Sequence, residues 1–184
     1  MNLYYSLIYP HLIYAIQVWG LTFDSNIDKL IVLQKKTVRM MTFNRTFFSE
    51  NGPPVHSDPL FKELNILKLN DIAELCIAQF VYDCIHKQAP IQFHDWFILN
   101  HNLHSHNTHS NVERVDNYIN QGGTNLVNSS GSLFIPIVRT THYGLRSLHV
   151  SGPKIWNKTP IQIRESNTHR IFSKAFRKNK ISSY

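Results

Sequence analysis

Residues 3–39 read LYYSLIYPHLIYAIQVWGLTFDSNIDKLIVLQKKTVR, and the change of character midway decides the fold. The first 23 residues of the chain contain no Lys, Arg, Asp or Glu. On a helical wheel their Leu, Ile, Tyr, Val and Trp side chains fall on every side, so a helix here has to be buried all round, in a large core or in lipid. Pro10 lacks a backbone donor and predicts a kink or a split into two short helices. After Trp19-Gly20 the pattern becomes amphipathic. Ser25 and Asp28 have the spacing of a capping box, and a helix is predicted over residues 25–43. At about 100° per residue Ile27, Leu30, Ile31, Val38 and Met41 share one arc, while Lys29, Lys35, Lys36 and Arg39 share another. An apolar helix is followed by one with a basic face.

Working outward, Asn51-Gly52-Pro53-Pro54 is a turn and loop signal. Asp58-Pro59 reads as an N-cap followed by proline at the first helical position, opening a short helix through Leu64. Over residues 71–87 a longer helix is predicted to bury one side only, through Ile72, Ala73, Cys76, Ile77, Phe80, Val81 and Cys84. Residues 91–99 form one more short helix in this reading, anchored by Trp96 and Phe97. Residues 100–131 are dominated by Asn, His, Ser, Gly and Gln and read as a flexible polar linker. Beyond it, residues 132–138 and 144–150 look extended, Trp156 sits in a short helix after Ser151-Gly152-Pro153, and Thr168 caps a closing amphipathic helix. The expected fold is mainly α, with a helical bundle over 1–99, the linker over 100–131 and a small basic α+β unit over 132–184.

A chain of 184 residues with 42% hydrophobic and 12% aromatic content can bury a real core. Its net charge of +7 is unevenly placed. Residues 139–184 hold ten Lys/Arg against the single acid Glu165, giving +9, whereas residues 1–138 hold nine against eleven, giving −2. A one-sided basic segment suggests a polyanionic partner such as nucleic acid or an acidic membrane surface. Cys76 and Cys84 lie eight residues apart on one expected helix, about 12 Å along its axis, beyond the reach of a disulfide. Buried free thiols fit a reducing, intracellular compartment, cytoplasm or nucleus. No basic region precedes the apolar start and no small-residue cleavage site follows it, so a signal peptide is not expected. A membrane span over residues 3–23 is long enough, but Ser6, Pro10, His11, Gln17 and five Tyr or Trp side chains dilute it.

The order of several motifs brings a resemblance. Tyr4-Tyr5-Ser6-Leu7-Ile8-Tyr9-Pro10-His11-Leu12-Ile13-Tyr14, then Val18-Trp19-Gly20, then Leu33-Gln34-Lys35-Lys36 and Arg39, resembles the region just after the catalytic palm in reverse transcriptases of non-LTR retrotransposons. Leu60-Phe61, Leu64, Ile66-Leu67, Leu69 and Asp71 resemble a later block of the same family. So do Tyr143-Gly144, Arg146-Ser147, Gly152-Pro153 and Trp156-Asn157. The resemblance implies the thumb and post-thumb part of an RNA-directed DNA polymerase, acting beside upstream polymerase domains.

A polymerase needs paired carboxylates holding two metal ions, and this sequence contains neither Tyr-x-Asp-Asp nor Asp-x-Asp. Its Asp24, Asp28, Asp58 and Asp71 fall at helix starts, where capping explains them. No Gly-rich phosphate loop, nucleophile elbow or Cys/His nucleophile pair is present. His101, His104, His106 and His109 have ligand-like spacing for zinc or copper, but no Cys lies near and no apolar scaffold orients them. No metal or cofactor is therefore expected, and the chain alone is not expected to be an enzyme. What remains is phosphate binding. Lys29, Lys35, Lys36 and Arg39 could track an RNA, DNA or RNA–DNA duplex, joined by Arg139, Arg146, Lys154, Lys158, Arg164, Arg170, Lys174, Arg177 and Lys178. Trp156 could stack on a base, though a core role beside Pro153 and Ile155 is expected. The alternatives are a non-catalytic protein-interaction module and a small protein anchored to a membrane by its apolar N-terminal helix.

Overall fold

A computed structural model describes residues 2–42, 57–100, 131–140 and 143–184. The fold is mainly helical, with about two-thirds of the described residues in helix. In chain order the helices are α1 (Tyr9–Ile13), α2 (Ile16–Trp19), α3 (Asp24–Thr42), α4 (Asp58–Glu63), α5 (Leu69–Ile85), α6 (Leu148–Lys158), α7 (Ile161–Arg164) and α8 (His169–Ser182). A π-helical turn over Tyr4–Ile8 precedes α1, and a 3-10 turn lies at Ile91–Phe93. The residues cluster into two compact units. The first comprises Met1–Ile77 and Ser173–Tyr184, the second Ala78–Phe172, so α5 and α8 contribute to both. This division differs from the boundaries placed at 99/100 and 131/132, because the last residues of the chain pack with the first. Nearly all of the polar stretch 100–131, including the four histidines, lies outside the described residues.

The apolar opening is broken twice. Directly before Pro10 the helix changes from the π turn over Tyr4–Ile8 to α1, an irregularity at the proline as expected. The second interruption comes at Tyr14, with ψ 116°, and Ala15, in the left-handed region at φ 50°. Gly20 then lets the chain pass close to α5: a Cβ there would stand 3.1 Å from the Ala73 methyl and 2.5 Å from the Ile16 carbonyl oxygen. No helix among the described residues is long and apolar enough to cross a membrane.

In the first unit Tyr4, Val38, Leu60, Phe61 and Ile66 form a buried cluster, flanked by Tyr5, Ile8, Tyr9, Leu12, Met41, Leu64 and Tyr184. Each such side chain contributes about 1.5–3 kcal/mol by leaving water. Helix α4 ends in a Schellman motif. Asn65 adopts φ 53°, its N–H donates to the Lys62 carbonyl at 3.1 Å, and the Ile66 N–H donates to the Phe61 carbonyl at 2.9 Å. The hydrophobic contact that accompanies this motif is the Phe61–Ile66 part of the core. The closing residues are tied down as well. The Tyr184 hydroxyl donates to Asp71 at 2.6 Å and accepts from the Lys68 N–H at 2.9 Å, and the Lys180 ammonium bridges Asp71 and Glu74.

Helix α5 corrects the expectation of one-sided packing. Leu75, Ala78 and Tyr82 are buried along with Ile72, Ala73, Ile77, Val81 and Cys84, which covers nearly the whole wheel. The buried Tyr82 hydroxyl is compatible with this because it donates to the Ser166 carbonyl at 2.7 Å. Both cysteines are free thiols. Cys84 is buried and Cys76 half-buried, and burial pushes each thiol up to about 11.

The β part of the small unit expected over 132–184 finds no support: among the described residues no strand forms, only an isolated bridge between Leu99 and Leu133. Pro136 has no N–H with which to continue a ladder from Leu133. The 132–138 stretch is held instead by Asn157, whose Oδ1 accepts from the Leu133 N–H at 2.8 Å while its Nδ2 donates to the Leu133 carbonyl at 2.9 Å. Residues expected to be extended up to 150 enter α6 at Leu148. That helix runs straight through Gly152-Pro153, where proline cannot donate to the His149 carbonyl one turn back.

Candidate nucleic-acid interface

Helix α3 buries Ile27, Gln34 and Val38 and half-buries Leu30, Ile31 and Met41, so the apolar arc points into the first unit. The opposite arc carries the basic residues. Lys29 and Lys36 are exposed, and Lys35 and Arg39 are half-buried. Long basic side chains in that position lay their methylenes on the helix and hold the charge outward. The four share one helix face over nearly three turns, a row suited to consecutive phosphates.

That face is not purely cationic. Val32, Leu33 and Met40 are exposed among the lysines, Met40 to 70%. Sequence reading missed this mixture because it sorted residues into two arcs and left these three unassigned. It also missed Gln34, a polar residue on the buried side. The Gln34 amide donates at 2.9 Å to both the Tyr4 hydroxyl and the Leu67 carbonyl, and its oxygen accepts from the Leu69 N–H at 2.9 Å. It therefore satisfies a first-turn donor of α5, which no intrahelical carbonyl can reach.

The basic tail separates into two groups. Arg139, Lys158, Arg170, Lys174 and Lys178 are exposed, and Arg146 and Lys154 half-buried. Arg170, Lys174 and Lys178 recur every four residues along one face of α8, the face away from the buried Phe172 and Phe176. Arg164 and Arg177 are corrections to the expected set. Arg164 is only 4% exposed and donates to the Gly131 carbonyl at 3.2 Å. Arg177 donates to the Tyr5 hydroxyl and, at 2.9 Å, to the Asn65 carbonyl, with its guanidinium 5.5 Å from the Tyr5 ring. Both cations serve internal contacts. The tail's charge is also partly neutralised by the chain's own acids, through Lys180 with Asp71 and Glu74. Burial opposes the Lys180 ammonium, but the Glu74 and Asp71 carboxylates outweigh it and hold its pKa above the ordinary value.

Trp156 is a core residue and offers no stacking platform. It is fully buried, stacks on Phe172 at 5.8 Å and donates its indole N–H to the Gly131 carbonyl at 3.1 Å. Its neighbours in the later motif block are structural too. A Cβ on Gly152 would stand 3.0 Å from both the Phe97 ring and Val81, and the Ser147 hydroxyl donates to the Gly144 carbonyl at 2.7 Å. No group of His, Cys, Asp and Glu among the described residues is placed to hold a metal ion.

Among the described residues the candidate interface consists of basic side chains on helix faces, which supply electrostatic contact. No protein-family model, curated protein or solved structure matches the chain.

Proposed function

We propose that this chain corresponds to the thumb and post-thumb segment of a reverse transcriptase of the non-LTR retrotransposon type, without the catalytic aspartates, and that it binds RNA, DNA or their hybrid non-specifically through basic helix faces. The reading is carried by one observation. The block that resembles the post-palm region supplies, in Lys29, Lys35, Lys36 and Arg39, a row of cations on the outer arc of α3. The exposed Arg170, Lys174 and Lys178 on α8 add support. Cations of this kind position a sugar-phosphate backbone and leave sequence unread. The chain has no carboxylate pair for two-metal chemistry, so by itself it does not polymerise; upstream polymerase domains are the expected protein partner.

The test is binding of a labelled RNA–DNA hybrid at low ionic strength, followed by fluorescence anisotropy. Affinity is expected to fall by about 10-fold or more between 50 and 200 mM salt and to be indifferent to sequence. A chain with no salt-sensitive binding refutes the proposal.

A further inference from the structure

A groove of about 200 Å3 lies in the first unit between the N-terminal segment and α3. Leu7, Ile8 and Leu12 form one wall, Leu30 and Leu33 the other. The polar groups at its base are already engaged: Thr37 donates its hydroxyl to the Leu33 carbonyl at 3.0 Å, and Gln34 makes the three bonds described above. The exposed His11 is the remaining polar residue of the lining, and the rest of the contact the groove offers is apolar. Its edges stay open, with Leu7 60% and Leu33 57% exposed.

The rim is charged, and with one sign. At 100° per residue Lys29, Leu33, Lys36 and Met40 fall within about 60° of the α3 wheel, so two exposed ammonium groups border the Leu33 wall. No carboxylate lines the groove among the described residues. We propose that this groove docks an acidic amphipathic helix of a partner protein. Apolar anchors at i, i+3 or i+4, and i+7 would enter between the two walls, and Glu or Asp on the flanks would meet Lys29 and Lys36. An apolar floor of this size takes one or two large aliphatic or aromatic side chains, the usual anchor of a helix in a groove. Charge complementarity selects the partner: a basic amphipathic helix would bring its cations against the same two lysines. Nucleic acid makes no use of the apolar walls, which are what distinguishes this site; Lys29 and Lys36 are shared with the phosphate-binding face.

The probe is a labelled peptide of about 18 residues with Leu anchors at helical spacing and Glu on its polar face, paired with the same peptide carrying Lys in place of Glu. Binding to the full chain is read by fluorescence anisotropy. The acidic peptide is expected to bind with a Kd of about 10–100 μM, and the basic one at least about 10-fold more weakly. Leu33→Asp, and separately Lys29→Glu with Lys36→Glu, should each weaken the acidic peptide by about 10-fold or more. Leu33, Lys29 and Lys36 are exposed, so circular dichroism should find these variants folded. Equal binding of the two peptides, no binding of the acidic one at about 1 mM, or indifference to Leu33→Asp overturns the proposal. Leu7→Gln, on the wall away from the α3 lysines and 60% exposed, adds no charge; it should weaken the acidic peptide and leave the affinity for an RNA–DNA hybrid unchanged. Loss of hybrid binding in that variant would place nucleic acid in the groove and overturn the proposal as well.

Discussion

Replacing Gln34 by Leu tests the internal logic of the first unit. The side chain is 2% exposed and makes three hydrogen bonds of 2.9 Å, to the Tyr4 hydroxyl, the Leu67 carbonyl and the Leu69 N–H. Leucine keeps the volume and loses all three, leaving a helix-start N–H and a loop carbonyl facing apolar atoms. A net value of about 0.5–1.5 kcal/mol per bond, raised where a buried group is stranded, gives a loss of about 3–5 kcal/mol. Urea unfolding followed by far-ultraviolet circular dichroism would show this as a midpoint lowered by about 1.5–2.5 M, for a slope near 2 kcal/mol/M. Gln34→Glu keeps the acceptor for Leu69 but cannot donate to Leu67 when ionised. Its carboxyl pKa should be raised by folding, so its stability relative to the parent improves as pH falls through that value and worsens as pH rises. Combining Gln34→Leu with Tyr4→Phe should show coupling of about 0.5–1.5 kcal/mol. A Gln34→Leu variant within 1 kcal/mol of the parent, or strict additivity with Tyr4→Phe, would refute the reasoning.

Other perturbations have equally definite outcomes. Gly152→Val should destabilise by about 2–3 kcal/mol or more in the same unfolding assay, because even a Cβ meets Phe97 and Val81 at 3.0 Å. Lys87 ends α5 in a Schellman motif at φ 56°, with Gln88 N–H bonded to the Asp83 carbonyl at 2.7 Å, so Lys87→Gly should raise stability by about 0.5–1 kcal/mol. Both thiols are raised to about 11 by burial, with Asp83 adding to the effect on Cys84. Their reaction with a disulfide reagent at neutral pH should be about 100-fold slower in the native chain than in urea. Burial, then the bond to Asp71, raises the Tyr184 pKa above the ordinary tyrosine value. The stability it contributes is present below about pH 10 and is lost as pH rises further, a loss that Tyr184→Phe should remove from the pH–stability curve.

The long, periodic elements were legible. Helix α3 begins at Asp24 and ends at Thr42, within a residue of its expected bounds, because amphipathic spacing and an acidic start agree there. The amphipathic character of α8 was legible, with Phe172 and Phe176 buried and Arg170, Lys174 and Lys178 exposed. What failed to show was whatever depended on distant partners. The all-round burial of α5 needs Ser166 to accept from Tyr82, 84 positions away in the chain. Extended structure over 132–138 was expected from β-branched content; among the described residues it pairs with 98–100 only through the Ser132 carbonyl and the Phe134 N–H, while Asn157 occupies the Leu133 groups on the other edge. On the candidate interface the α3 cations fall on the outer arc as expected. Arg164 and Arg177 could not be told from surface arginines, since the carbonyls of Gly131 and Asn65 that receive them are remote in the chain.

The salt dependence of binding probes the basic face of α3 most directly. The affinity for an RNA–DNA hybrid is measured across a salt series for the parent and for Lys29→Gln with Lys36→Gln, both exposed positions. If those two ammonium groups each contact a phosphate, the slope of log affinity against log salt becomes shallower by about 1.8 in the double variant. Identical slopes for the two proteins would contradict a phosphate-binding role for this face.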